Sequence, residues 1–131
     1  MTYALDTNII SFYLKGDVII RKKFLEVLAN GYTLIIPPLV YYEIMRGFCL
    51  NPAPSKEKGF KLVCEYCSIG ALSNSCLETG AKIYADIKAR NPKDADILIA
   101  AFCIVNDYTL VTNNTKDFND IDGLKLVDWT I

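Results

Sequence analysis

Of the 15 acidic residues in this 131-residue chain, those at four separated places could do chemistry together: Asp6, Glu43, the pair Asp94 and Asp96, and Asp117. The sequence contains no histidine. That excludes Ser-His-Asp triads, Cys-His dyads and histidine acid–base pairs together. Catalysis here must run on carboxylates, metal ions, lysine, cysteine or tyrosine. The pair at 94 and 96 heads an apolar run, residues 97–105. As a helix that run is hydrophobic all round and belongs in the core. A carboxylate at its entrance is partly desolvated, which is costly unless a cation or hydrogen-bond donors meet it. Asp94 has an ordinary role to fill as N-cap of the helix. Asp96, two residues on and on another side of the turn, cannot share that job and asks for a partner elsewhere.

The elements that would bring such partners together can be read from the residue pattern. Residues 3–6 form a short strand ending in Asp6. Residues 33–36 (Thr-Leu-Ile-Ile) form a buried strand, 68–72 a weak one, and 108–112 and 124–127 two more. Helices are expected at 18–29 (closed by Asn30-Gly31), at 39–48 after Pro37-Pro38, at 56–67, at 74–90 and at 94–105. Strands alternating with helices, without repeats or linkers, predict one α/β domain over residues 1–131. Its form is an α/β/α sandwich around a short central parallel sheet of four to five strands. Ligands of such sheets gather beyond the C-terminal strand ends. Asp6, Glu43, Asn113, Asn114 and Asp117 all fall at or just after such ends.

Carboxylates brought within a few ångströms repel one another and raise one another's pKa. A cluster of Asp6, Glu43 and Asp96, with Asn114 and Asp117 as further candidates, is sustainable at neutral pH chiefly around a hard divalent cation. Oxygen-only ligands select Mg²⁺ or Mn²⁺. Such an ion can activate water against a phosphodiester and stabilise the leaving oxygen. Singly, each acid has a plainer role: Asp6 as a turn residue, Glu43 on an exposed helix face, Asp94 and Asp117 solvated or capping. Asp96 is the hardest to explain that way.

Composition narrows the rest. Hydrophobic residues make up 52% of the chain, enough for a well-filled core. A net charge of −1 argues against a strongly basic, non-specific nucleic-acid binder. No stretch approaches the roughly 20 apolar residues of a membrane span, and Asp6 breaks the N-terminus as a signal sequence, so a cytoplasmic protein is expected. Five cysteines include Cys64 and Cys67 at CxxC spacing. Without a second such pair or any histidine they read as half-buried thiols on a helix rather than zinc ligands.

Five segments taken together resemble one family. They are Tyr3-Ala-Leu-Asp6-Thr7-Asn8, Tyr42-Glu43-Ile-Met-Arg46-Gly47, Asp94-Ala-Asp96-Ile-Leu-Ile-Ala-Ala, Leu110-Val-Thr112-Asn-Asn-Thr-Lys-Asp117-Phe118 and Gly123-Leu-Lys-Leu-Val-Asp-Trp129. In order and spacing they are similar to the PIN-domain family, and within it to VapC-type toxins of toxin–antitoxin pairs. The resemblance implies a Mg²⁺- or Mn²⁺-dependent endoribonuclease that hydrolyses phosphodiesters with metal-activated water. Its implied metal ligands are Asp6, Glu43 and Asp96, with Asp117 completing the catalytic set. Thr7, Asn8, Asp94, Thr112 and Asn114 are implied as groups that orient ligands or substrate. A cognate antitoxin that covers the site and a homodimer are implied as partners.

Many family members place an aspartate where this chain has Asn114, and the pattern offers Asp117 in its stead. Arg46, one helical turn beyond Glu43, could touch RNA or pair with the acid. The loss of a charge at Asn114 also motivates an alternative, a catalytically weak or silent PIN-like module that binds RNA or protein. A flavodoxin-like or receiver-like regulatory domain shares the architecture, but this chain has no lysine in a matching position after the fourth strand.

Overall fold

The computed structural model describes residues 1–131, leaving aside the side chain of Ala89. Five short strands, β1 (Thr2–Leu5), β2 (Thr33–Ile36), β3 (Ser68–Ile69), β4 (Thr109–Val111) and β5 (Lys125–Val127), form one sheet in the order β3-β2-β1-β4-β5, every pairing parallel. Six helices flank it: α1 (Thr7–Leu14), α2 (Val18–Ala29), α3 (Pro38–Leu50), α4 (Pro54–Glu65), α5 (Asn74–Ile87) and α6 (Asp94–Asn106). This is the expected α/β/α arrangement at the upper strand count. The strands are parallel because each connection between them carries helix, save the last, which turns through Thr115–Asp117 as a 3-10 helix.

The strand order reverses direction after β3: the chain steps outward from β1 to β2 to β3, then crosses back to β4 on the other side of β1. That reversal opens a crevice between the C-terminal ends of β1 and β4, where sheets of this kind hold their ligands. The crossover back runs through α5 and α6. It packs closely because α5 carries Gly80, where a Cβ would lie 3.2 Å from Leu98 Cδ2 of α6. Phe102 of α6 is clamped more tightly still. Its ring occupies the space over Gly70, where a Cβ would come within 2.2 Å of Phe102 Cζ.

Leu5, Leu34, Ile36, Leu110 and Val111 of the strands pack with Ile9, Ile20, Val40, Phe60 and Ile99 of the helices, all 1% exposed or less. Trp129, buried beyond β5, meets Tyr3 of β1 edge-on at 5.8 Å.

Several boundaries differ from the expected ones. Asp6 stands outside β1 as the N-cap of α1, although its N–H still bonds Val111 O of β4. The helix expected at 74–90 ends at Ile87 and finishes as a 3-10 turn, Lys88–Arg90, because Asn91 turns left-handed (φ 51°) before Pro92. Cys67 lies past the end of α4 rather than on it. Helix α6 is not buried all round: Ile97 and Ile99 through Cys103 are, whereas Val105 reaches solvent. Among the described residues no helix is long and apolar enough to cross a membrane.

Candidate active site

Asp6 follows the last residue of β1 and is only 7% exposed. One carboxylate oxygen accepts from Thr7 N at 2.8 Å, within the N-cap of α1. The other accepts from Thr112 Oγ1 at 2.8 Å, across the crevice from the end of β4. Thr112 is wholly buried, and its hydroxyl is used completely. It donates to Asp6 and accepts from Asn114 N at 3.0 Å and Asn8 Nδ2 at 3.5 Å, the full capacity of a hydroxyl. Asn8 in turn accepts from Asn113 N at 3.2 Å. Thr7 and Thr112 fix the direction of one buried carboxylate, and Asn8 bonds Thr112 and the backbone of Asn113 beside it.

Glu43 arrives from α3, the helix that follows β2, and is half-buried. Thr7 Oγ1 donates to its Oε1 at 3.2 Å, tying it to the same α1 terminus that holds Asp6. Asp96 arrives from the first turn of α6. Because α6 runs into β4, its N-terminus lies at the C-terminal edge of the sheet. Burial, then the negative charges of Asp117, Asp6 and Glu43, push Asp96 from the ordinary 3.8 up to about 6, with Lys93 opposing. Asp6 is also raised, chiefly by burial and further by Asp117, against the lowering effect of its bonds to Thr112 and Thr7. Four carboxylates from four segments thus repel one another at one place.

Asp94 is not the N-cap of α6. Lys93 holds that position with no side-chain cap bond, and Asp94 is the first helical residue, exposed to solvent. With Lys93 already extended, one residue later is helical, so Asp94 can act only on the first-turn N–H groups as a charge. Asp117 is exposed on the 3-10 turn after β4, and Asn114, also exposed, precedes that turn. Arg46 does not pair with Glu43. Its guanidinium lies over the Tyr42 ring at 5.3 Å, one turn back along α3. Cys64 and Cys67 are free thiols, the latter pushed up to about 12 chiefly by burial, and they take no part in this site.

The donor set suits a hard divalent cation. All of it is oxygen, and each oxygen of Asp6 keeps a lone pair beyond the bond it already accepts. The mutual repulsion that raises Asp96 is what a cation would relieve. Among the described residues, no three acidic or thiol side chains close tightly enough to enclose an ion as they stand.

The residue pattern did not disclose the support beneath the loop after β4. Asn113 Nδ2 donates to Thr130 Oγ1 at 3.1 Å, and Thr130 donates its hydroxyl to Asp128 at 2.6 Å. Asp128 anchors this segment, accepting from Thr130 N as well. The spacing Asp128-x-Thr130 is an Asx-turn signature that would have indicated it.

A family model for the PIN domain matches residues 3–124. Ribonuclease VapC2 of Rickettsia felis is 29% identical over 134 residues, covering 98% of this chain and 98% of that protein. Ribonuclease VapC1 of Haemophilus influenzae is 28% identical and covers 99% of each. Among solved structures, the fold is similar to a chain in VapBC2 from Rickettsia felis bound to a DNA fragment from their promoter, with a TM-score of 0.89 and 27% identity over 98% of this chain. It is also similar to a chain in VapBC-1 from nontypeable Haemophilus influenzae, with a TM-score of 0.86 and 25% identity over the whole of both chains.

Proposed function

The chain belongs to the PIN-domain family, and from that premise we propose that it is a Mg²⁺- or Mn²⁺-dependent endoribonuclease, the toxin of a toxin–antitoxin pair. The observation that carries the reading is the meeting of Asp6, Glu43, Asp96 and Asp117 beyond β1 and β4, where their charges act on one another. The relatives named as VapC ribonucleases span essentially the whole chain, which supports the same activity here. The solved VapBC complexes support a cognate antitoxin as partner. A homodimer is proposed from the family resemblance alone.

Asp6, Glu43 and Asp96 would hold the cation, and its chemistry when bound is to lower the pKa of water and neutralise charge on a phosphodiester. The chain's own residues do the positioning. Thr112 and Thr7 aim the buried Asp6 carboxylate, and Thr7 steadies Glu43. Asp96 is held by a helix that cannot shift, because Ile97 and Ile99 through Cys103 are locked in the core. Asp117, exposed and nearest in charge to Asp96, is the group free to accept a proton from an attacking water.

The test is cleavage of single-stranded RNA by purified protein in Mg²⁺ or Mn²⁺. Asp6→Asn and Asp96→Asn should each lower the rate at least 100-fold while leaving the fold intact. Cleavage at the wild-type rate by either variant would refute the assignment.

A second reading, a catalytically silent PIN-like module for RNA or protein, is favoured by one observation, that no three acids yet enclose an ion. Calorimetric titration with Mn²⁺ separates the two. Binding well below millimolar supports the nuclease, and no heat at millimolar metal supports the silent module.

A further inference from the structure

Two cavities border the acidic residues, one lined by Thr7 and Glu43 and the other by Asp96 and Asp117. The larger, about 380 Å³, begins at Thr7 and Glu43 and runs between α1, α3 and the start of α4. Its wall is apolar, made by Ile10, Leu14, Ile44 and Phe48, with Asn51 at its far end. Lys15 and Lys56 stand on its rim. Among the described residues neither lysine is in an ion pair; the two pairs present are Arg90 with Asp120 and Lys125 with Asp107. The smaller cavity, about 150 Å³, begins at Asp96 and Asp117 and is bordered by Lys93, Arg90 and Asn91.

We propose that these cavities are two nucleotide subsites flanking the cleaved phosphodiester, the larger one taking an unstacked RNA base against Phe48. This rests on the nuclease reading above and names how its substrate would lie. An acidic centre repels a polyanion, so the strand must be held from outside it. The unpaired cations sit where that requires, two beside the larger cavity and Lys93 beside the smaller. Single strands are bound in this way, by aromatic faces that stack bases and lysines that meet phosphates. The apolar wall suits the face of a base, and Asn51 offers an amide to its edge. Continuity matters too: Glu43 lines the larger cavity and Asp96 the smaller, so one strand occupying both passes over the carboxylates.

Gly47 gives a clean test. It lines the larger cavity from within α3, and a Cβ there meets nothing within 4 Å. Gly47→Leu therefore starts from a Cβ in open space, puts apolar bulk at the cavity wall and also favours the helix. Wild-type chain and variant are compared on a mixed-sequence single-stranded RNA, intact and with one abasic nucleotide at each position around the cleaved bond. In the wild type, one abasic position beside the cut should raise KM roughly tenfold, the scale of one lost stack. In Gly47→Leu, KM on intact RNA should rise by a similar factor with kcat little changed, and the abasic penalty should vanish. Lys56→Gln should reduce the salt dependence of log KM by about 0.7 per decade of salt, the loss of one phosphate contact to a single strand.

An unchanged KM and abasic profile in Gly47→Leu would overturn the subsites while leaving the nuclease standing. Unchanged RNA kinetics together with lost binding of the cognate antitoxin would assign the groove to protein and equally overturn them. A wild-type chain without metal-dependent cleavage would remove the nuclease reading itself, and the subsites with it.

Discussion

Thr112 Oγ1 lies 2.8 Å from Asp6 Oδ2, a bond between residues 106 positions apart and buried from solvent. It spans the crevice left by the reversal of strand order, joining the end of β1 to the end of β4. Both partners depend on it. Asp6 loses the larger of its two pKa-lowering bonds without it, and Thr112 would bury a hydroxyl with one role fewer.

Thr112→Val keeps the shape and removes the donor. The Asp6 carboxylate should then rise further in pKa and lose direction, so metal affinity and cleavage should both fall, cleavage by about tenfold or more. Stability should fall by about 1–3 kcal/mol, the cost of an unmet buried acceptor. Thr112→Ser should restore most of both. Mn²⁺ calorimetry, kinetics and urea denaturation of the three proteins check this, and equal metal affinity in Thr112→Val would count against the role given to the bond.

Asp96 sets activity against stability. Its carboxyl is held at about 6 in the fold against an ordinary 3.8, so the metal-free fold favours the protonated form. Below about pH 3.8 the group is neutral in folded and unfolded chains alike and costs nothing. The destabilisation grows as pH rises from 3.8 and is complete above about 6. Asp96 is half-open to solvent, so screening brings the effect to about 1 kcal/mol. Asp96→Asn should therefore stabilise the metal-free protein by about that amount at pH 7.5, should lose the gain near pH 4, and should be inactive. Denaturant midpoints at the two pH values, in the presence of a chelator, give the comparison.

Gly70 is expected to resist any side chain. Its missing Cβ is what lets the Phe102 ring lie against the backbone after β3. Gly70→Ala forces the ring of a buried core residue aside, an overpacking cost of about 1–3 kcal/mol. Gly47→Ala, with open space at its Cβ, should be neutral or mildly stabilising in the same denaturation experiment.

Sequence reading recovered the parts of this molecule that are written in local pattern. The buried strand at Thr33–Ile36 and the helix at Val18–Ala29 stand where the apolar periodicity placed them, the latter stopped by Asn30 and a left-handed Gly31. The acids at 6, 43 and 96 could be brought to one edge on paper because parallel strands share a direction. What could not be read was the order of the strands, and with it the pairing of Asp6 with Thr112. Nor could a cap be assigned by residue type alone. Asp94 has the chemistry of an N-cap, but the helix begins at Asp94 itself and leaves Lys93 in that position. The groove beside Phe48 escaped for a similar reason: it exists only where three helices meet, and no single segment signals it.

The reversed strand order also sets when the centre can form. Asp6, Glu43 and Asp96 are all made within the first three-quarters of the chain, yet β1 lacks its partner β4 until residues 109–111 have been made. The loop after β4 is then tied to Thr130, beyond β5. A growing chain on the ribosome carries the acids without the strand that orders them, and contacts of such long sequence separation are slow to close. Competence therefore waits for β4 and the Thr130 contact, and a product truncated before them should be inert.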